Sequence, residues 1–165
     1  MKYLRFIKTM FFSCLAVVRV GSFAAYPRVN GYTRFTKQTR LGGNTHFNGL
    51  IIRGGGEVAI GDNFHSGQGC LFLVSFHKYD GGNALPYDSS IVINKNIAIG
   101  ENVWLGDRVT VLGGVSIADG AIIQAGAVVS SSIPFCGVAG GNPAVVFKYR
   151  DVESYRALLA ENSYV

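Results

Sequence analysis

Three histidines, His46, His65 and His77, are the side chains here whose ordinary pKa lies between pH ~5 and ~8. A neutral imidazole can take the proton of a weak nucleophile such as an alcohol as it attacks. The same ring can bind a metal, but a metal site needs converging ligands. Positions 46, 65 and 77 show no such spacing, so no metal is expected. Cys14, Cys70 and Cys136 are widely spaced and form no Cys-x-x-Cys pair. Cys70 falls in a phase that reads as a small buried apolar residue. Cys136 lies beyond the patterned part of the chain, and no nucleophile with an adjacent base is apparent. His77 stands apart from the other histidines. It opens the stretch from His77 to Ser90, rich in Gly, Asn, Asp and Pro, the residues of loops.

The elements that position His77 follow from a repeat. Ile93, Ile99, Leu105, Val111, Ile117, Ile123 and Val129 fall six apart, and so do Ile97, Val103, Val109, Val115, Ala121, Ala127 and Ile133. Helices repeat apolar residues at about 3.6 and strands at 2. Short strands with a corner every six residues explain the pattern, three strands closing one triangular turn. Such hexapeptide repeats mark a parallel β-helix. An earlier block runs from about Leu50 to Phe76, with Ile60, Phe64, Phe72 and Phe76 in phase. Positions 60 and 99 differ by 39, which is not a multiple of six. An insertion at 77–91 therefore breaks the register, and ejected loops cluster on the binding face of a solenoid.

A chain of 165 residues suits one domain. Its 22 glycines fit many tight corners. Residues 1–45 read as a helix over 1–25 and an irregular lead-in, 46–134 as the β-helix with its loop, and 135–165 as a tail and a terminal helix. Asp151 can cap that helix, with Val152, Tyr155, Leu158 and Leu159 on one face. The start faintly resembles a signal peptide, but Arg19 interrupts the apolar stretch. An amphipathic helix is the preferred reading, with residues 1–25 the candidate for peripheral membrane contact. No apolar run reaches the roughly 18 residues of a membrane span, and a cytoplasmic location, at the inner face of the membrane, is expected. The net charge of +5 is modest, and narrow corners offer no basic, aromatic-studded face for nucleic acid.

The run Ile99-Gly100-Glu101-Asn102-Val103-Trp104-Leu105-Gly106 resembles a signature of the hexapeptide-repeat, acetyl-coenzyme A-dependent O-acetyltransferases. Ala125-Gly126-Ala127-Val128-Val129, Gly140-Gly141-Asn142-Pro143-Ala144 and Ser75-Phe76-His77 resemble later landmarks of that family. The separation of Asn63 from His77 matches the spacing in its galactoside enzyme, and the loop from Asp80 to Tyr87 is most similar to its polysaccharide-modifying branch. The resemblance implies a left-handed β-helix of about four to five coils, an acetyl-coenzyme A co-substrate, a saccharide acceptor and a homotrimer. It implies His77 as general base and an oxyanion donor just after Trp104, at Asp107. The coenzyme is expected against Trp104, Gly106, Asp107, Ala125, Gly126, Gly140, Gly141, Asn142 and Pro143. Small residues there would let the ligand approach the backbone, and Lys148 and Arg150 are candidates for its 3′-phosphate. Acceptor candidates are His46, Asn48, Asn83, Tyr87 and Asp88. His46 stands where the family has an asparagine, and Asp80 is the candidate to orient His77. The chain lacks the longer helical N-terminal domain of the galactoside and maltose enzymes.

Rival readings share the prism. A γ-class carbonic anhydrase needs a histidine pair five residues apart, which is absent. A non-catalytic scaffold would have no reason to keep Trp104, the Gly140–Pro143 segment and His77 together. An N-acyltransferase acting on an amino sugar or an antibiotic would differ only in its acceptor loop. The expected activity is acetyl transfer to a hydroxyl of a sugar or surface-polysaccharide precursor.

Overall fold

The computed structural model describes residues 2–165; Met1, within the expected helix, lies outside the described residues. Helix α1 (Lys2–Val17) precedes a triangular β-solenoid. Its first turn holds β1 (Ser22–Phe23), β2 (Arg28–Val29) and a bridge at Arg34. The second holds β3 (Thr39–Leu41), β4 (His46–Asn48) and β5 (Ile51–Arg53), and the third β6 (Val58–Ile60), β7 (His65–Gln68) and β8 (Leu71–Leu73). The chain then leaves in an antiparallel hairpin, β9 (Ser75–Lys78) with β10 (Asp88–Asn94). The fourth turn holds β11 (Ile97–Ile99), β12 (Trp104–Leu105) and β13 (Thr110–Leu112), and the fifth β14 (Ser116–Ile117), β15 (Ile122–Ile123) and β16 (Val128–Val129). Ile133 and β17 (Gly137–Gly140) begin a sixth, on which β18 (Val145–Tyr149) folds back antiparallel before α2 (Val152–Ala160).

The fold is a left-handed parallel β-helix of about six turns. The expected four to five fell short because residues 22–41 already pair in parallel with the following turn. The step from the second turn to the third hides from a six-residue count. Arg40 stands opposite Ala59 and Ile52 opposite Phe72, offsets of 19 and 20, whereas Ala98 and Ser116 are 18 apart. A register shift between β4 and β7 supplies the extra residue.

Both aliphatic phases point inward. Ile97, Val103, Val109, Val115, Ala121, Ala127 and Ile133 are buried, as are Ile99, Leu105, Val111, Ile117, Ile123 and Val129. Ile52, Phe72, Val111 and Val129 stack in register through four turns. Burying one such large side chain is worth about 1.5–3 kcal/mol. Ile93 and Phe76 keep the phase in sequence but sit partly exposed on the hairpin, opposite each other rather than in the core. Periodicity carried them past the point where the chain leaves the prism.

The corners explain several polar residues. Asn44, Asn63 and Asn102 take left-handed φ of 48°, 55° and 57°, which asparagine tolerates. Their side chains form a ladder: Asn44 donates to Asn63 (2.9 Å), Asn63 to Asn102 and Asn102 to the Tyr155 hydroxyl (3.1 Å each). The carboxylates of Asp62, Asp107 and Asp119 each accept a backbone N–H from the preceding turn at 2.7–2.8 Å.

Helix α1 is shorter than the expected 1–25, since the chain enters the first turn at Val20–Gly21, where a side chain on residue 21 would strike the Lys37 carbonyl. It plugs the end of the prism. Ala16 and Val20 join the core, and the buried Ser13 hydroxyl accepts the Val29 N–H at 2.9 Å, satisfying an edge amide. At the other end Asp151 caps α2 by accepting the Ser154 N–H. Of the face expected there, Tyr155 is buried, whereas Leu158 and Leu159 are exposed.

Candidate functional site

One outer face of the prism carries a register-aligned row. Arg28, His46, His65, Trp104, Ile122 and Val138 stand opposite one another from turn to turn. They alternate with inward residues such as Phe47, Leu105 and Ile123, as strand geometry requires. Trp104 keeps 56% of its surface exposed, too much for a packing residue.

Beside it lies a groove of about 720 Å³. Six of the expected coenzyme residues line it: Trp104, Gly106, Asp107, Ala125, Lys148 and Arg150. Gly126 and the segment Gly140, Gly141, Asn142 and Pro143 do not. Gly140 packs on the Gln124 side chain, and Gln124 is in the wall. Gln124, Phe147 and Tyr149 are among the other lining residues and were not anticipated. The alternation Phe147-Lys148-Tyr149-Arg150 was the available signal for the last two.

Gly106 is small for a reason other than ligand approach. A Cβ there would lie 2.5 Å from the Ala125 nitrogen, so the stacking of turns demands glycine. The Asp107 carboxylate is a corner strut, holding the Gln68 N–H at 2.7 Å. The Arg150 guanidinium lies 5.1 Å over the Tyr155 ring and donates to the Gly120 carbonyl at 3.4 Å, which ties it to α2. Lys148 makes no ion pair among the described residues and is the freer cation of the groove.

His77 is elsewhere. It is exposed on β9, and its ring stacks on Tyr87 with centroids 4.7 Å apart and planes 14° from parallel. The hairpin leaves after β8, at the corner between the β8 and β11 faces, so His77 is not among the residues lining the groove. Tyr87, not Asp80, is the group in contact with His77; Asp80 makes no hydrogen bond among the described residues. Asp88 is buried and accepts from the Asn83 N–H, the Ser90 N–H and the Ser90 hydroxyl. The hydroxyl and amide donors hold its carboxyl below the usual range. Asp88 and Asn83 therefore close the hairpin.

The remaining acceptor candidates lie on the row. His46 and His65 stack at 4.1 Å, and His46 also contacts the Asn44 amide at 3.1 Å. Burial, then the neighbouring His65 and Arg28 charges, lowers His46 to about 4. Burial and Arg28 lower His65 as well. The His46 ring is neutral at pH 7. Asn48 is occupied, donating to the Ser66 carbonyl at 2.8 Å and accepting from Asn30. His65 precedes Trp104 by the same offset that separates Ile60 from Ile99. That offset could have placed it in the row from sequence. Cys70 is buried, and burial raises its thiol to about 11, the inert core role expected. No cluster of three His, Cys, Asp or Glu stands within metal-binding reach among the described residues.

Residues 96–131 match the family described as bacterial transferase hexapeptide (six repeats). No curated protein matches the chain in sequence. Among solved structures, a galactoside acetyltransferase in complex with coenzyme A matches at 27% identity and a TM-score of 0.64, covering 84% of this chain and 64% of that one. A hexapeptide-repeat acetyltransferase from Vibrio cholerae O1 biovar eltor, complexed with acetyl coenzyme A, matches at 26% and 0.62, covering 71% and 63%. A maltose O-acetyltransferase from Clostridium difficile 630 matches at 26% and 0.62, covering 79% and 66%. The family match covers residues 96–131, and the left-handed β-helix extends the same architecture through the rest of the solenoid. These three solved structures are acetyltransferases, and the chain spans less than two thirds of the length of each.

Proposed function

We propose that this protein transfers an acetyl group from acetyl-coenzyme A to a hydroxyl of a sugar or surface-polysaccharide precursor. The observation that carries the reading is the groove, where Trp104, Gly106 and Asp107 of the fourth turn, Ala125 of the fifth and Lys148 of β18 converge. Its volume and mixed lining suit a pantetheine arm against Trp104 with phosphates toward Lys148. Coenzyme A or acetyl-coenzyme A is bound in two of the relatives named above.

His77 acts as general base. Its imidazole takes the acceptor hydroxyl proton as the oxygen attacks the thioester carbonyl. A backbone N–H after Trp104, at Asp107, steadies the tetrahedral oxyanion. Collapse breaks the C–S bond, and the departing thiolate takes the proton back from the imidazolium. No acyl-enzyme forms. The stacked Tyr87 fixes the plane of the ring. Because His77 and the groove occupy different edges of one prism, the site closes between copies, with His77 of one chain over the groove of the next. A homotrimer supplies three such sites.

The test is a thiol-release assay with acetyl-coenzyme A and a panel of saccharides and amino sugars. His77→Ala should remove most turnover and leave coenzyme affinity nearly intact. Full activity in that variant refutes the base. Transfer to amines alone replaces the hydroxyl acceptor with an amino sugar.

A further inference from the structure

Helix α1 is amphipathic in an unusual direction. Phe12, Ser13, Ala16 and Val20 face the solenoid. The opposite side is apolar too. Leu4 (74% exposed), Ile7 (58%), Phe11 (62%) and Leu15 form a solvent-facing stripe, flanked by Tyr3 and Met10, and Val18 is exposed in the turn just past the helix. At about 100° per residue these positions fall within one arc of less than half the helix circumference. Arg5 and Lys8, both exposed, follow one border of that arc, and Arg19 is exposed in the turn beyond the helix. A stripe this continuous exceeds the scattered apolar residues of an ordinary surface.

The charge distribution says what covers it. The first acidic residue of the chain is Glu57. Before it stand nine Lys and Arg: residues 2, 5, 8, 19, 28, 34, 37, 40 and 53. From Glu57 onward the chain holds six basic and ten acidic side chains. The turns stack in sequence order, so this division is also spatial. The end of the prism plugged by α1 is strongly positive, and the far end is net negative. A self-docking copy would bring two such positive ends together, which electrostatics opposes. A surface of opposite sign satisfies both features.

We propose that α1 docks this protein on an anionic lipid surface, its apolar stripe sunk into the interface and its basic border on the headgroups. With 16 residues, α1 lies in the interface and does not cross it. The prism then stands on the bilayer with its acidic end outward. This docking is independent of the acyl-transfer reading.

The test is co-sedimentation of the full chain with vesicles of phosphatidylglycerol and phosphatidylcholine, against phosphatidylcholine alone. Binding should be at least tenfold stronger to the anionic vesicles and should weaken with salt. Arg5→Gln/Lys8→Gln should weaken it roughly 25-fold, at roughly fivefold per cation. Ile7→Glu/Phe11→Glu should abolish it while leaving thermal unfolding and oligomeric state unchanged, because both side chains face solvent. Equal binding to the two vesicle types overturns the proposal, as does undiminished binding of either variant. A lower oligomeric state of the Ile7→Glu/Phe11→Glu variant also overturns it, since the stripe would then be an interface between copies.

Discussion

Mild acid should destabilise this protein through the His46–His65 stack before its carboxylates protonate. His46 falls from its ordinary 6.5 to about 4 in the folded chain, chiefly by burial. Between those values the unfolded chain binds a proton that the folded chain refuses, so stability rises with pH across that window and is lost on descending it. Above about 6.5 the ring is neutral in both states and contributes no slope. Below about 4 the full penalty is reached. The displacement is worth at most about 3.4 kcal/mol, at 1.36 kcal/mol per pH unit. The ring is only partly buried, so solvent screening reduces this to about 1–2 kcal/mol. His65, lowered by the same burial, adds in the same direction. Asp88 is held below the usual carboxylate range, so its contribution is lost beneath this window. The assay is urea unfolding at pH 7.5, 6.5, 5.5 and 4.5, for wild type and His46→Gln. Wild type should lose at least that screened amount over the range, and His46→Gln distinctly less. Equal slopes in the two proteins would refute the assignment of the acid sensitivity to this pair.

Trp104→Ala should weaken acetyl-coenzyme A binding about tenfold, roughly 1.4 kcal/mol, with little change in unfolding, because the ring is largely exposed; calorimetry beside urea melts separates the two. Phe72→Ala should cost about 3–5 kcal/mol, since Phe72 is wholly buried between Ile52 and Val111 of neighbouring turns, and urea unfolding reads it directly. Light scattering should give the mass of three 17.7 kDa chains, and a monomer that turns over contradicts a site shared between copies.

The regular half of the solenoid was legible because a period of six has few structural causes. Val103, Leu105, Val109 and Val111 read as core and are core. The second turn was hidden because its offsets of 19 and 20 to the third erase a strict period without disturbing the pairing, and the first, although 18 residues from the second, has too few aliphatic positions to show a repeat. Leaving the prism was legible as a register break at His77, but not as a hairpin, since loop composition masks the strand from Asp88 to Asn94. In the groove, Trp104 and Lys148 were reached through motifs. Phe147 and Tyr149 were missed because their strand lies outside the repeat. Asp88 read as a ligand candidate, whereas burial and three local donors give it to the hairpin. Polar type alone does not say whether a side chain faces a ligand or its own backbone.

The central claim is that the groove beside Trp104 receives acetyl-coenzyme A. Calorimetric titration of the purified chain with that compound tests it most directly. Binding should saturate at one site per chain and be weakened in Trp104→Ala. A folded, assembled protein that takes up no acetyl-coenzyme A would contradict it and leave a hexapeptide solenoid serving as a scaffold.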